Sequence, residues 1–536
     1  MNFIIIIVPF LIVIGGITYY AYRKSKVVDT DTSEGLFLGG RGMTAIPIAA
    51  TIIMANLSTE QIIGQNGQSY VAGMEVMAWE VSAGVAIIAL AVIFLPKYLK
   101  YGIDTIPDFL EKRFDTTTKR IISLLTIFTY AVGFLPSVLY SGALVFNELF
   151  SINELLGINS LTAIVMIVVA IVAISVCYLV IGGLSFGIYS NVWYGLGLLL
   201  FGLGIPITAL IILGDGGIVS GFNYIVANTP ELLNSVGSID SEYIPWPALL
   251  TGMLANNLFF WCTNQMIIQN AFTAKNLKES QKGILLVGLF KVISAFITVL
   301  PGVIARNMFG DSLLSNADSA YPSLIAELLP ITLYGVFAAV IFGALLSTVM
   351  SALNAIATLF SLDFYKGMFK PNASDKKVAR VGMTTIIVMG IVSIIISPFI
   401  SFAPAGLYNV IQEFNGFYSM PLLVLVLAAF YSKKATPLAG KTTLVFHFIM
   451  YTLLNWWVLS DINYLYNFAI LFVMDVLVLF LVSKWKPEGE FEITQFTTKV
   501  DVKPWKYAKI SGALLLGLII LTYVFFSPIG ISLFVK

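Results

Sequence analysis

Met54-Ala-Asn-Leu-Ser-Thr-Glu-Gln61 sets five polar side chains into the middle of an apolar run near 44–70. Inside a bilayer an unbroken apolar helix satisfies every backbone group by itself, so polar residues at mid-depth mark a helix that unwinds beside protein or a wet cavity. A second run near 247–273 carries Asn256-Asn257 ahead of Phe259-Phe260-Trp261. Counted along the chain, the two runs are antiparallel and five spans apart, so each opens one half of an inverted five-helix repeat. Broken first helices meeting at the midplane are the usual site architecture of secondary transporters.

The surroundings are those of a membrane protein. Of 536 residues 58% are hydrophobic and 11% charged, against about 25% charged in a soluble chain. Apolar runs long enough to cross a hydrocarbon core of about 30 Å are expected near 3–22, 44–70, 74–97, 119–148, 159–182, 187–213, 247–273, 283–307, 330–367, 379–399, 404–431, 437–459, 463–483 and 507–532, an all-α polytopic chain of about fourteen spans. All Lys and Arg except Lys291, Arg306 and Lys536 fall in alternate loops, which places those loops in the cytoplasm and both termini outside. The chain divides into 1–43 (extra first helix and cytoplasmic loop), 44–213 (first repeat), 214–246 (extracellular loop), 247–431 (second repeat) and 432–536 (peripheral helices). A net charge of +1 with scattered basic residues gives no nucleic-acid surface. Cys177, Cys262 and the single histidine, His447, read as packing.

Two ionisable groups lie in apolar surroundings. Lys291 has apolar turns on both sides, and a lysine at the membrane centre costs at least about 2.5 kcal/mol. Glu80, in Met77-Ala-Trp-Glu-Val-Ser82, is its matching carboxylate. The pair could grip a hydroxylated solute by donating and accepting hydrogen bonds, with Asn56, Gln61, Asn257 and Gln412 supplying amides; alternatively it fixes helix register. On the span near 330–367, Ala344, Ser347 and Thr348 share one face. Their hydroxyls, the Ala344 carbonyl and the carbonyls freed around Met54 to Leu57 would make an oxygen cage for sodium, although such hydroxyls also bond back to their own helix.

Gly182-Gly-Leu-Ser185, Asp104-Thr-Ile-Pro-Asp-Phe-Leu-Glu-Lys-Arg-Phe114, Asn56-Leu-Ser-Thr-Glu-Gln61, Asn264-Gln-Met-Ile-Ile-Gln269 with Ala274-Lys275, and Ser361-Leu-Asp-Phe-Tyr365 together resemble the sodium:solute symporter family over nearly the whole chain. The resemblance implies a LeuT-like fold and co-transported sodium, held by the carbonyls of Met54, Leu57 and Ala344 and the hydroxyls of Ser347 and Thr348. It also implies a sugar-type pocket of Asn56, Gln61, Trp79, Glu80, Asn257, Phe260, Lys291 and Gln412, with Gln65, Tyr140 and Tyr408 at the gates. Three positions depart from the family pattern. Asn191 stands where an Asp is usual near the sodium pathway, Ala83 replaces a pocket Ser and Gln65 an outer-gate Met. Family members that carry acids resemble one another in a cationic fourth-helix region; here no Lys or Arg lies between Ile121 and Ile152, which favours a neutral solute.

The expected function is sodium-coupled symport of a small neutral polar solute, a sugar or polyol, by alternating access in the inner membrane. One sodium crossing 100 mV releases about 2.3 kcal/mol, enough for roughly fifty-fold accumulation. Other readings are proton-coupled uptake, a non-sugar solute such as sialic acid, an amino acid or a vitamin, a channel, and a non-transporting sensor. No enzyme constellation is evident.

Overall fold

The computed structural model describes residues 2–402, 415–458, 462–491 and 498–531. Every regular element in them is a helix. Among the described residues nine runs are long and apolar enough to cross a membrane, and length shows that some hold more than one crossing. Ser160–Leu213 is 54 residues, about 80 Å at 1.5 Å per residue. It turns at Gly183, whose φ of 57° and ψ of −157° is a backbone state open to glycine and little else. The expected spans near 159–182 and 187–213 are the two limbs. The expected span near 404–431 is described only from residue 415 onward.

The helices that position the site are α1 (Asn2–Ser25), α2 (Ala45–Asn56), α3 (Thr59–Ala72), α4 (78–101), α5 (Thr116–Phe150), α6 (160–182) and α7 (184–213). They continue with α8 (Gly252–Thr263), α9 (Gln265–Ala271), α10 (Leu277–Thr298), α11 (Leu300–Phe309), α12 (Ile331–Thr358), α13 (Asp375–Ile396), α14 (Ser419–Tyr431), α15 (Pro437–Leu453), α16 (Tyr464–Trp485) and α17 (Ala508–Phe525). The outer loop expected at 214–246 carries a helix of its own, Ile218–Asn228.

The first break falls where the polar stretch begins. α2 ends at Leu57 (φ −86°, ψ 77°) and Ser58 is extended as N-cap of α3. Ser58 with Gln61 three residues on is a capping-box pattern, although the Ser58 hydroxyl donates instead to the Glu60 carboxylate. The second break is displaced from the expected place. Asn256 and Asn257 lie inside the continuous α8, and the helix stops at Asn264 (φ −68°, ψ 125°). There the side chain of Asn264 accepts the Met266 N–H at 3.0 Å and so starts α9. A cap needs a side-chain acceptor in an extended residue, which Asn264 supplies and the paired Asn256-Asn257 do not.

α12 is the centre of the bundle: 94% of the apolar window in its run is buried, against 6% for α1, which lies at the periphery. It packs on α1, α2 and the limbs of the 160–213 run. α2 lies between α10 and α12, and α8 packs against α4, α14 and α16. Both breaks therefore sit in the interior.

Candidate functional site

At the first break the carbonyls of Met54 and Ala55 leave the helix ladder, because the Ser58 N–H turns back to Asn56 O. Thr348 on α12 faces them. Its hydroxyl oxygen lies 3.3 Å from Met54 O, 3.2 Å from Ala55 O and 3.1 Å from Ala344 O. One hydroxyl proton satisfies one acceptor, so two of three carbonyls keep lone pairs pointed into a dry cluster. Surplus hard oxygens of this kind fit a cation such as sodium. Ser347 adds a hydroxyl beside them, which accepts a hydrogen bond from Asn191 Nδ2 at 2.8 Å. Leu57 contributes the backbone turn that ends α2. The bonding of Thr348 back to Ala344 and the contact across to α2 occur at one oxygen.

Glu80 is fully buried and accepts from four donors. Lys291 Nζ and Ser294 Oγ reach one carboxylate oxygen at 2.5 Å each; Gln61 Nε2 and Gln65 Nε2 reach the other at 2.6 and 2.9 Å. A carboxylate in this setting is held by as many charge-assisted bonds as it can accept. Lys291, 2% exposed, spends one N–H on Glu80 and lies 5.3 Å from the Trp261 ring centroid. Lys291 is also part of the wall of an inner cavity.

That cavity holds about 70 Å³ and is also lined by Asn56, Gln61, Trp79, Asn257 and Phe260. The Oδ1 of Asn56 is buried without a partner. Asn257 Nδ2 donates to Ser82 Oγ at 2.8 Å, which leaves its carbonyl oxygen for the cavity. Trp79 stacks on Tyr464 at 6.5 Å and 14°, and Phe260 lies edge-on to Trp261. Six of the expected pocket residues line this cavity, and Glu80 joins them through Lys291 and Gln61. Gln412 and Tyr408 lie outside the described residues. Gln65, expected at a gate, is buried in the Glu80 network, and Tyr140 is not among the cavity's lining.

Sequence reasoning missed Ser294, Glu60, Trp261 and Asn415. Ser294 follows Lys291 by three residues, the helical spacing that puts both on one face, so its signal was present. Asn415 had none, because its place depends on a non-local approach.

Access differs between the two ends. On the side poor in Lys and Arg, a vestibule of about 310 Å³ is lined by Thr59, Glu60, Ser141, Glu148 and Asp318, and Glu60 also lines the inner cavity. On the opposite side several contacts bridge segments distant in sequence. Asp104 pairs with Arg41 at 2.7 Å and Lys499 at 2.6 Å, Leu277 N–H donates to Asp501 O, and Tyr130 donates to Asn264 Oδ1 at 2.7 Å. His447, read as packing from sequence, is instead hydrogen-bonded at both ring nitrogens, to Asp475 at 2.8 Å and to the Gly416 carbonyl at 2.9 Å.

The profile of the sodium:solute symporter family matches residues 36–440. The chain is 40% identical to the uncharacterized symporter YidK of Escherichia coli (strain K12), over 94% of this chain and 87% of that protein. It is 30% identical to the sodium/glucose cotransporter of Vibrio parahaemolyticus, over 81% of each. Among solved structures, the substrate-bound outward-open state of a Na+-coupled sialic acid symporter superposes with a TM-score of 0.76 at 20% identity, covering 90% of this chain and 98% of that one; at that identity the likeness is one of fold.

Proposed function

Because this chain belongs to the sodium:solute symporter family, and is accordingly a multi-pass membrane protein that couples solute movement to sodium, we propose that its solute is a small neutral polyhydroxylated molecule, a sugar of the galactose or glucose kind or a polyol, taken up across a bacterial inner membrane. The observation that carries this reading is Lys291 at the cavity wall with its charge already matched by Glu80 at 2.5 Å. The lysine of a matched pair can still donate to hydroxyl groups but offers no surplus positive charge to a carboxylate. The glucose named for the Vibrio relative is a solute of this chemistry. The unpartnered Asn56 Oδ1 and the Asn257 carbonyl supply further hydrogen bonds, while Trp79 and Phe260 cover an apolar sugar face.

Sodium is assigned to Met54, Leu57, Ala344, Ser347 and Thr348. It joins α2 to α12, and α2 leads directly into the residues that hold the solute. Coupling is then the shared preference of both ligands for one conformer. The cavity of about 70 Å³ is some two water volumes, so a hexose enters only as the aromatic walls move apart.

The test is uptake into proteoliposomes, with and without a sodium gradient, of labelled galactose, glucose, inositol and sialic acid. Sodium-stimulated uptake of a neutral polyol is expected. Stimulation confined to sialic acid would refute the neutral-solute assignment.

A further inference from the structure

His447 on α15 and Asp475 on α16 are both fully buried, and neither is among the residues assigned to solute or sodium. The proton inventory of the pair is settled by what lies at its far end. The Gly416 carbonyl, 2.9 Å from Nε2, can only accept, so Nε2 carries a hydrogen. On the other side Nδ1 meets Asp475 Oδ2 at 2.8 Å, either as an N–H donating to a carboxylate or as a bare nitrogen accepting from a carboxylic acid. Both arrangements leave the Nε2–H on Gly416. Asp475 therefore orients the ring, and the ring holds the backbone.

The backbone it holds belongs to the cavity wall. Asn415, one residue before Gly416, is buried and lines the cavity of about 70 Å³. The fit is close: a Cβ at Gly416 would stand 2.2 Å from Cζ and from the hydroxyl of Tyr451, so a glycine is what lets the chain pass at this distance. Tyr451 lies parallel to His447 at 5.9 Å and 11°, and edge-on to Phe417 at 4.9 Å and 68°. The same two helices reach a second part of the wall. Tyr464, the first residue of α16, stacks on Trp79, and Phe468 meets Tyr464 at 5.6 Å and Tyr451 at 6.4 Å. A continuous run of rings thus joins the Trp79 side of the cavity to the Asn415 side.

We propose that His447 is a positioning residue for the solute site: by holding the Gly416 carbonyl it fixes Asn415 in the cavity wall, so that α15 and α16 set the affinity for solute without touching it. This rests on the cavity being the place where solute binds. A ring that served packing alone would need neither a donor aimed at a carbonyl nor a buried carboxyl behind it, a group that is costly to bury. The sodium ligands lie on α2 and α12, away from this contact, so the effect belongs to solute binding.

The test has two arms, each on full-length protein whose folding is checked by thermal unfolding in detergent. In the first, sodium-driven uptake into proteoliposomes is measured with whichever of galactose, glucose, inositol and sialic acid is carried. His447→Phe keeps a ring and loses the donor. It should raise the solute KM about three- to tenfold, the worth of one hydrogen bond, with maximal rate and sodium activation at saturating solute within about twofold. His447→Gln, whose amide can still donate, should keep KM within about twofold. Asn415→Ala should itself raise KM, and adding His447→Phe to it should raise KM no further, because the two act on one contact. An unchanged KM in either single variant, or an equal effect of His447→Phe with and without Asn415, would overturn the proposal. The second arm needs no solute. Asn415→Cys is alkylated with N-ethylmaleimide and followed by peptide mass mapping, which separates it from Cys177 and Cys262. His447→Phe should change that rate at least about fivefold, and His447→Gln should leave it alone. Equal rates in all three would overturn the proposal, whereas a lack of uptake of all four solutes counts against the solute assignment and leaves the alkylation rates to decide this one.

Discussion

Thr348 and Met54 are 294 residues apart in sequence, yet the hydroxyl of one lies 3.3 Å from the carbonyl of the other. This is where the break in α2 meets the most buried helix. A cation there would bind both elements at a point where the packed helices otherwise share one hydroxyl proton.

Removing that hydroxyl tests the cage. Thr348→Val keeps the volume and removes the oxygen, and the half-saturating sodium concentration for uptake is expected to rise at least tenfold, whereas Thr348→Ser should stay within about threefold of the original. Ser347→Ala should behave like Thr348→Val. Sodium activation curves in proteoliposomes measure all three, and an unchanged curve for Thr348→Val removes the assignment.

Asn191 gives a second handle on the same ion. Its amide nitrogen donates to Ser347 Oγ at 2.8 Å, occupying a lone pair that a cation would use. Asn191→Asp reverses that bond, since a carboxylate accepts from the hydroxyl, and adds negative charge nearby. Sodium should then activate at several-fold lower concentration. A shift to higher concentration would show that Ser347 does not face the ion.

The Glu80 network separates folding from solute binding. Lys291→Ala strands a buried carboxylate, and breaking a buried pair in this way costs about 3–5 kcal/mol, a loss that thermal unfolding in detergent would register. Lys291→Met combined with Glu80→Gln leaves no charge and should recover most of the stability while abolishing solute binding. Full solute binding by the double variant would reduce Lys291 and Glu80 to a structural role.

A pH effect is expected at Asp115, the N-cap of α5. Burial raises its carboxyl pKa, but the Lys441 ammonium at 2.7 Å and the Thr118 N–H and hydroxyl outweigh burial and hold it below its ordinary value. A depressed folded-state pKa contributes stability that is present above the unfolded value, about 3.9, and is lost as pH falls through the folded one. Asp115→Ala should therefore cost about 1 kcal/mol at neutral pH, with the gap to the unaltered protein closing in acid. A gap independent of pH would place the effect elsewhere.

The parts legible in the sequence were those with local causes. The polar stretch 54–61 announced its break because each residue from Asn56 to Gln61 other than Leu57 is a poor fit to lipid. Lys291 and Glu80 stood out by the cost of burying charge, and Ser347 with Thr348 by helical spacing. The break at Asn264 was misplaced because two adjacent asparagines look more disruptive than one, yet helix termination depends on which residue turns extended and caps its successor. His447 read as packing because its partners, Asp475 and Gly416, are 28 and 31 residues away, beyond any periodicity.

Asp104 serves Arg41 and Lys499, cations contributed from near opposite ends of the polypeptide. A passage that opens toward the lysine-rich side must unfasten that clasp, and its partly exposed members, Asp104 and Lys499, feel the electrolyte around them. Counter-ions on that side would therefore act as a lubricant for the return stroke, making turnover speed, rather than affinity, responsive to the salt content of the compartment into which cargo is released.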